Sequence, residues 1–215
     1  PGRDCPLCPR LVEFRLDARA KEPGWHNAPV PTFGDSSARL LIVGLAPGLR
    51  GANRTGRPFT GDWAGDLLYE TLAAFGFTHG AYDENGEDEL ELVDACITNA
   101  VRCVPPQNKP TPAEIKTCRS FLDDTIAAMP RLKAIVALGR ISHDSVSRAL
   151  GESPSRLPFA HGREFALPAI QGGVTLFDSY HCSRYNTNTG VLTPRMFRAV
   201  FARVRDLLDG AKPIP

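Results

Sequence analysis

Four short apolar runs, each followed by a segment with helical spacing, constrain the fold of this chain more than any other feature of its sequence. Such runs are typical of strands buried on both faces of a sheet, and they cover residues 38–44, 92–101, 132–139 and 173–181. The helical segments cover residues 62–77, 111–129, 140–150 and 194–208. The repeated strand-then-helix unit predicts an α/β fold, a three-layer α/β/α arrangement with a central, mostly parallel four-stranded sheet.

The length of the chain fits one domain with its own hydrophobic core. With 215 residues, it lies near the upper end of common domain lengths, and its composition is that of a globular protein. We therefore expect a single domain over residues 1–215, in which the N-terminal segment and residues 152–172 are irregular additions to the α/β core.

Charge and hydropathy argue against some classes of function. The 25 basic and 24 acidic side chains give a formal net charge of +1, which does not indicate nucleic-acid binding in the way that a strongly basic chain would. No apolar stretch approaches the roughly 20 residues that cross a bilayer, so no membrane partner is expected. The chain starts without the apolar core of a signal peptide, and we expect a cytoplasmic protein. Because residue 1 is Pro and not Met, the sequence leaves open whether a targeting segment precedes it.

Three loops that follow the predicted strands have an unusual composition. In an open α/β sheet, ligands bind at the carboxyl ends of the strands, where loops lead into helices. The first loop, GLAPGLRGANRTGRPFTGD at 44–62, contains five glycines and three arginines before its closing acid, Asp62. Such a flexible and basic segment favours a phosphate-bearing partner. The other two loops are RCVPPQNKPTP at 102–112 and HCSRYNTNTGVLTP at 181–194.

Six cysteines in a chain expected to be cytoplasmic argue against disulfide bonds. Cys5 and Cys8 form a C-x2-C pair, while Cys103 and Cys118 lie in and just after the second unusual loop. If these four thiolates gather, either a zinc ion or an iron–sulfur cluster fits them, and the N-terminal segment would then be tied to that loop. Cys96 lies in the middle of an apolar run and is expected to be a small core residue.

Four motifs follow one another along nearly the whole chain, namely GLAPG, RTGRPFTGD, ITNAVRCVPPQNKPT and HCSRYNTNTG. With the cysteines, they resemble the motifs of the iron–sulfur uracil-DNA glycosylases, most closely those of the type b, or family 5, branch of the uracil-DNA glycosylase superfamily. The resemblance implies an α/β/α fold with a structural [4Fe–4S] cluster, held by the N-terminal segment and the region 103–118. The ligands it implies are Cys5, Cys8, Cys103 and Cys118.

The same resemblance implies a monofunctional DNA-repair enzyme. It would flip uracil out of double- or single-stranded DNA and hydrolyse the N-glycosyl bond, which leaves an abasic site. Hypoxanthine and other deaminated bases are further candidate substrates, and we expect a monomer associated with the nucleoid. An alternative function is a non-catalytic module that binds nucleotides or DNA lesions through the Gly-rich loop 44–62.

Five residues are candidates for binding the flipped base. The backbone of Gly44, Leu45 and Ala46 would approach the base and sugar. By resemblance, uracil stacks on Phe59, which could otherwise be a core phenylalanine. Asn99 stands where the superfamily commonly has an amide that accepts from uracil N3–H and donates to O4, a pattern that cytosine reverses. The alternative role for Asn99 is to hold the end of the second strand.

Departure of the base leaves positive charge on the sugar and negative charge on uracil, so catalysis must stabilise both. Many relatives carry an acid or amide where this chain has Leu45. Asp62 is therefore the candidate that orients water and stabilises the sugar cation, with Asn108 as a second polar group. His181 is the candidate donor to the uracil anion. The alternatives are a helix N-cap for Asp62 and a structural histidine for His181.

Side chains on the first and third loops are candidates for contacts with DNA. Those expected at phosphate groups are Arg50, Arg54 and Arg57. Those expected to enter the duplex and fill the space that uracil vacates are Arg184, Tyr185 and Asn186.

Overall fold

A six-stranded sheet with helices on both faces forms the centre of the protein. The computed structural model describes residues 1–168 and 172–210. Its strands are β1 (Phe33–Gly34), β2 (Leu40–Gly44), β3 (Thr78–His79), β4 (Glu91–Leu92), β5 (Ala95–Asn99), β6 (Ala134–Leu138), β7 (Glu164–Leu167) and β8 (Val174–Ser179). Its helices are α1 (Pro9–Lys21), α2 (Ala52–Thr55), α3 (Trp63–Ala74), α4 (Pro112–Ala127), α5 (Arg140–Ala149), α6 (Arg184–Asn188) and α7 (Pro194–Leu208). A short 3₁₀ turn covers Pro106–Asn108.

The inner four strands of the sheet are parallel and match the four predicted runs. The order across the sheet is β1-β5-β2-β6-β8-β7, with β5 and β6 parallel on either side of β2, and β8 parallel to β6. All five residues of β2, β5 and β6 are buried, as expected for strands covered on both faces. The predicted α/β class and mostly parallel sheet are confirmed.

The number of strands differs from the prediction, because the central sheet has six strands and not four. β1 pairs with β5, and β7 pairs with β8, both antiparallel at the edges of the sheet. β1 has only two residues, and β7 has exposed residues in two of its four positions. Neither forms the continuous apolar run that predicts a buried strand. β7 lies in the segment 152–172, which was expected to be irregular, and residues 169–171 of that segment lie outside the described residues.

The N-terminal segment contains helix α1, where the sequence suggested irregular structure. The helix begins at Pro9, a residue suited to the first helical position. Its buried residues are Leu11, Arg15 and Ala18. An arginine on the buried side interrupts the apolar periodicity that predicts a helix, which explains why the pattern did not reveal α1.

Two apolar layers cover the faces of the sheet. On one face, Leu68 of α3 and Phe201 of α7 belong to a core that includes alternate residues of β2. On the other face, Leu122 of α4 and Val146 of α5 pack with the remaining residues of β2. All four of these side chains are fully buried, so the three-layer arrangement is confirmed.

The topology brings the ends of the inner strands and the starts of the helices to one edge of the sheet. β2 ends at Gly44 and β5 ends at Asn99, which are direct partners in the parallel register. Asp62 and Thr111 are the N-caps of α3 and α4, and Thr111 forms a full capping box. Among the described residues, no helix is both long and apolar enough to span a bilayer.

Candidate active site

A cavity of about 620 Å³ opens at the carboxyl edge of the sheet, and all three unusual loops contribute to its walls. It fits the rule that ligands of open α/β sheets bind at this edge. The predicted site residues among those that line it are Leu45, Ala46, Phe59, Asp62, Asn99, Asn108, His181 and Arg184. Residues far apart in the sequence therefore meet in one cavity.

Gly44 lies between two of the predicted base-binding side chains. A Cβ atom at this position would lie 2.5 Å from Asn99 Oδ1 and 2.6 Å from Phe59 Cζ. Both separations are far below van der Waals contact, so only glycine allows the amide and the ring to approach the end of β2 together.

Phe59 presents its ring to the cavity from an unusual backbone conformation. Its φ angle is +57°, in the left-handed region that bulky residues rarely occupy. The ring centroid lies 6.0 Å from that of His181, with 25° between the ring planes. Phe59 is 8% exposed, so the ring is largely surrounded by protein and shows only part of its surface to the cavity.

Asn99 offers an amide to the cavity that the protein itself does not use. The residue ends β5 and is 4% exposed. Within residues 1–168 and 172–210, its side chain forms no hydrogen bond, and its Oδ1 atom faces Gly44. Its amide atoms are not among the fully enclosed polar atoms that lack a partner, so they are open to the cavity, where a ligand can form hydrogen bonds with them. The alternative, in which the side chain holds the end of the strand, receives no support from these contacts.

Asp62 uses one carboxylate oxygen to cap α3 and turns the other toward the first loop. Its Oδ1 atom accepts a hydrogen bond of 3.1 Å from the backbone N–H of Gly65 and so caps α3. Its Oδ2 atom faces the glycines of the first loop, since a Cβ at Gly48 or at Gly51 would lie 3.6 Å from it. One oxygen is therefore used by the helix, while the other faces the cavity wall. Asp62 is exposed at the cavity, yet the protein around its carboxyl group raises the pKa of that group.

His181 lies two residues after the end of β8 and contributes an uncharged ring to the cavity. Burial lowers the pKa of His181 to about 4, because no nearby charge offsets the cost of desolvating the imidazolium. The ring is therefore neutral at physiological pH and carries one N–H donor. Asn186 donates from Nδ2 to the carbonyl of His181 over 2.8 Å, which restrains the backbone at the start of the third loop.

Asn108 reaches the mouth of the cavity from the second loop. It ends the 3₁₀ turn and, like Gln107, has a positive φ angle, which is +57° for Asn108. Asn is one of the residues that tolerates this region of backbone conformation. The residue is exposed and lines the cavity, so its amide is accessible from the cavity.

The three arginines of the first loop have different environments. Arg50 is exposed, and its guanidinium has no partner among the described residues. Arg54 donates to the carbonyl of Arg50 and to Asn85. Arg57 is held by Asp88 in an ion pair in which the two side chains are 12% and 7% exposed. This pair argues against a phosphate contact for Arg57, and its partner lies too far along the chain for local sequence to reveal it.

The third loop provides exposed side chains at the cavity mouth, but not all those predicted for DNA. Tyr185 is 74% exposed, and the guanidinium of Arg184 lies over the ring of Trp63 at 5.9 Å. Asn186 instead turns its amide inward to His181. Trp63, which is 45% exposed and lines the cavity, was missed in the sequence because it looked like the first residue of an ordinary helix. Its position directly after Asp62 was the available signal.

The four cysteines expected to bind a cofactor line one small cavity, whose lining shares no residue with that of the first cavity. Its walls are apolar, with Leu11, Val101 and Phe121 among them. The other two cysteines lie elsewhere: Cys96 is buried in β5, as predicted, and Cys182 is buried against α3.

The surroundings of these four cysteines fit an anionic cluster. Arg15, which is 2% exposed, donates to Cys103 Sγ over 3.7 Å, and its Nε atom has no partner. The backbone N–H of Arg102 donates to Cys118 Sγ over 3.3 Å. A buried cation and an N–H donor aimed at sulfur are suited to thiolates that carry negative charge. No group of three or more Cys, His, Asp or Glu within the described residues is arranged to hold a metal ion. The fit of these cysteines to an anionic cluster therefore rests on the charge around them and on the one cavity that all four line.

The chain belongs to the uracil DNA glycosylase superfamily, whose family model matches residues 31–205. Within that superfamily, the chain is similar to proteins named type-5 uracil-DNA glycosylase. The relative from Thermus thermophilus is 44% identical over 209 residues, which cover 94% of this chain and 93% of the relative. The relative from Mycobacterium leprae is 42% identical over 94% of this chain and 91% of its own length. The relative from Pyrobaculum aerophilum is 38% identical over 93% of this chain and 87% of its own length. The predicted family is confirmed.

Proposed function

We propose that this protein is a monofunctional glycosylase that binds uracil flipped out of DNA, hydrolyses its N-glycosyl bond and leaves an abasic site. The observation that carries the proposal is the convergence of Phe59, Asn99, Asp62 and His181 on one cavity at the carboxyl edge of the sheet. Such an enzyme needs a pocket outside the duplex, because the bond is inaccessible while the base is stacked.

Phe59 and Asn99 would recognise the base. Uracil lies against the ring of Phe59, and its N3–H and O4 edge pairs with the amide of Asn99, which accepts from N3–H and donates to O4. Cytosine reverses this pattern and would leave buried polar groups unpaired, at a cost of about 1–3 kcal/mol each. The amide that has no partner within the described residues supports this role. Hypoxanthine and other deaminated bases are secondary substrates in the proposal.

Asp62 and His181 would share the chemistry. Oδ2 of Asp62 accepts a proton from the attacking water and stabilises the positive charge that develops on the sugar, while Oδ1 keeps the cap on α3. His181, neutral because of its lowered pKa, donates its N–H to O2 of the departing uracil anion. Asn108 orients the water or sugar from the second loop. The backbone of Gly44, Leu45 and Ala46 lines the sugar side, and the apolar side chain of Leu45 takes no part in proton transfer.

Exposed side chains around the mouth would bind the DNA on either side of the flipped nucleotide. Arg50 and Arg54 contact phosphates, while Arg184, Tyr185 and Trp63 meet the bases beside the gap. An aromatic or long side chain that enters the stack offsets the stacking lost when the base leaves. The exposed ring of Tyr185 and the contact between Arg184 and Trp63 support this role. We propose that the protein acts as a monomer on double- or single-stranded DNA at the nucleoid in the cytoplasm.

The four cysteines would hold a [4Fe–4S] cluster, and they are Cys5, Cys8, Cys103 and Cys118. Bound there, the cluster supplies a rigid cross-link between the N-terminal segment and the region 103–118, without a part in the chemistry of the base. Arg15 would balance the negative charge of the thiolates from its buried position. The cross-link would hold the second loop, with Asn108, at the cavity and keep the chain in one domain.

Incubation of the purified protein with uracil-containing oligonucleotides, followed by alkali, tests the proposal. We expect alkali-dependent cleavage at uracil in U:G, U:A and single-stranded substrates. We expect no cleavage before alkali, because no lysine of residues 1–168 and 172–210 lines the cavity. Cleavage before alkali would show a lyase activity and contradict the monofunctional assignment. Binding to uracil DNA without any release of uracil would favour the non-catalytic module.

A further inference from the structure

We propose that Arg57 and Asp88, with the two tyrosines packed on them, hold Phe59 in the conformation that stacks the flipped base. The inference rests on the proposed function, in which Phe59 is the stacking ring. It gives Arg57 a positioning role that acts through Phe59, in place of the phosphate contact expected from the sequence.

Arg57 lies in a cage that fixes its guanidinium. It donates to both carboxylate oxygens of Asp88, with 2.7 Å from Nη2 to Oδ2, and also to the carbonyl of Asp83. Three aromatic rings have their centroids 5.5 to 5.7 Å from the guanidinium carbon, and these are Phe33, Tyr69 and Tyr82. A two-pronged, largely buried ion pair of this kind is stronger and more directional than one on the surface. The cage is therefore a rigid support at the side of the first loop.

Two tyrosines connect this cage to the backbone on both sides of Phe59. Their rings stack with centroids 4.4 Å apart and 17° between their planes. The hydroxyl of Tyr69 donates to the carbonyl of Pro58 over 2.8 Å, and the hydroxyl of Tyr82 donates to the carbonyl of Phe59 over 3.2 Å. The two peptide groups that flank the Cα atom of Phe59 are each held by one tyrosine. Together they restrain both backbone dihedral angles of Phe59.

Phe59 requires such a restraint, because its φ angle of +57° is strained for a bulky side chain. Without it, the backbone would relax toward negative φ, and the ring would leave its place beside Gly44. The carbonyl of Phe59 also lies directly against Gly65, where an added Cβ would be 2.0 Å away. Gly65 is the residue whose N–H is capped by Asp62, so the cage supports the stacking ring and the start of α3 at once.

Two conservative variants separate this role from a DNA contact. Arg57→Lys keeps the charge but loses the planar fork, and Tyr82→Phe removes only the hydroxyl. Their affinities are measured for two duplexes of the same sequence, one with 2′-fluoro-2′-deoxyuridine, which resists hydrolysis, and one with a tetrahydrofuran abasic analogue. Only the first duplex offers a base to Phe59. We expect binding to the first to weaken about tenfold for Arg57→Lys and about fivefold for Tyr82→Phe, and binding to the second to change less than about twofold.

Two controls show whether the effect passes through Phe59. Arg205 also lies over a phenylalanine, with 3.9 Å from its guanidinium carbon to the ring centroid of Phe77, and neither residue lines the cavity. Arg205→Lys should leave the ratio of the two affinities unchanged. In a Phe59→Leu background, Arg57→Lys should cause no further loss for the fluorinated duplex, since a residue that acts only through Phe59 is not additive with it.

Equal weakening for both duplexes, no weakening, or full additivity with Phe59→Leu would overturn the positioning role. If Arg57→Lys does not fold, Tyr82→Phe decides the question by the same ratio. The proposed function is tested separately by the wild-type protein. If the wild type releases no uracil from DNA, the function fails, whereas wild-type release with unchanged affinities in the variants removes only the role of Arg57 and Tyr82.

Discussion

Asp62 allows the helix cap and the chemistry to be separated by two substitutions at one position. Asp62→Asn keeps a side-chain oxygen that can accept from the N–H of Gly65, but it removes the negative charge. Asp62→Ala removes both. Because Oδ1 caps α3 while Oδ2 faces Gly48 and Gly51, we expect the two variants to differ in stability and to agree in activity.

The expected magnitudes follow from these two contacts. Loss of the cap in Asp62→Ala costs about 1 kcal/mol, which lowers the melting temperature by roughly 2–4 °C for a domain of this size. Asp62→Asn keeps the cap, and because burial raises the pKa of Asp62, removal of its charge should not lower the melting temperature. In both variants, loss of the proton acceptor lowers the rate of uracil release about 10²- to 10⁴-fold, or about 3–5 kcal/mol of transition-state stabilisation.

Single-turnover release of uracil from a U:G duplex, together with thermal melting, measures both effects. Thr193→Ala is the matched control, because it removes the N-cap of α7 away from the cavity and should lower the melting temperature while the rate stays unchanged. If Asp62→Asn retains more than about a tenth of the wild-type rate, the loss is smaller than the roughly 10²-fold minimum expected of an acid–base group. Asp62 would then be a helix cap and not the reactive acid.

Four further outcomes are expected. Asn99→Ala should lower uracil release about 5- to 150-fold, the effect of about 1–3 kcal/mol, and an unchanged rate would remove the amide from base recognition. Gly44→Ala should abolish release in the same assay, because its Cβ would meet Asn99 and Phe59, whereas Gly24→Ala, with open space around it, should behave as wild type. In a pH–rate profile, the rate should fall about tenfold per pH unit below the raised pKa of Asp62. It should stay level on the alkaline side, because the pKa of His181 is lowered to about 4 and its ring is already neutral. A fall in rate between neutral and mildly alkaline pH would contradict a neutral His181 donor. Cys118→Ser should lower the iron and acid-labile sulfide content and the melting temperature, and full iron content in this variant would exclude Cys118 as a ligand.

The sequence reveals those parts of the fold and site that depend on local pattern. The inner strands are visible as continuous apolar runs because both faces of the sheet are covered, and the rule for parallel sheets then predicts that their loops meet at one cavity. The edge strands β1 and β7 escape detection because they are short or partly exposed. Helix α1 escapes because its buried side includes Arg15.

Contacts between distant segments could not be predicted. Nothing near Arg57 indicates that Asp88 will neutralise it, so the arginine looked like its exposed neighbour Arg50. Asn186 looked like a DNA contact, but its amide is used by the carbonyl of His181. The different contacts of the two oxygens of Asp62 are likewise a property of the three-dimensional arrangement, since the sequence predicts a cap and an acid equally well.

A crystal structure of the protein with its products, uracil and abasic DNA, tests the central claim most directly. The account predicts uracil against Phe59 with its N3 and O4 edge on Asn99, and Oδ2 of Asp62 within hydrogen-bond reach, about 2.6–3.2 Å, of the new hydroxyl on C1′ or of one bridging water. A structure in which both oxygens of Asp62 contact only α3, or in which uracil lies outside the cavity, would contradict it.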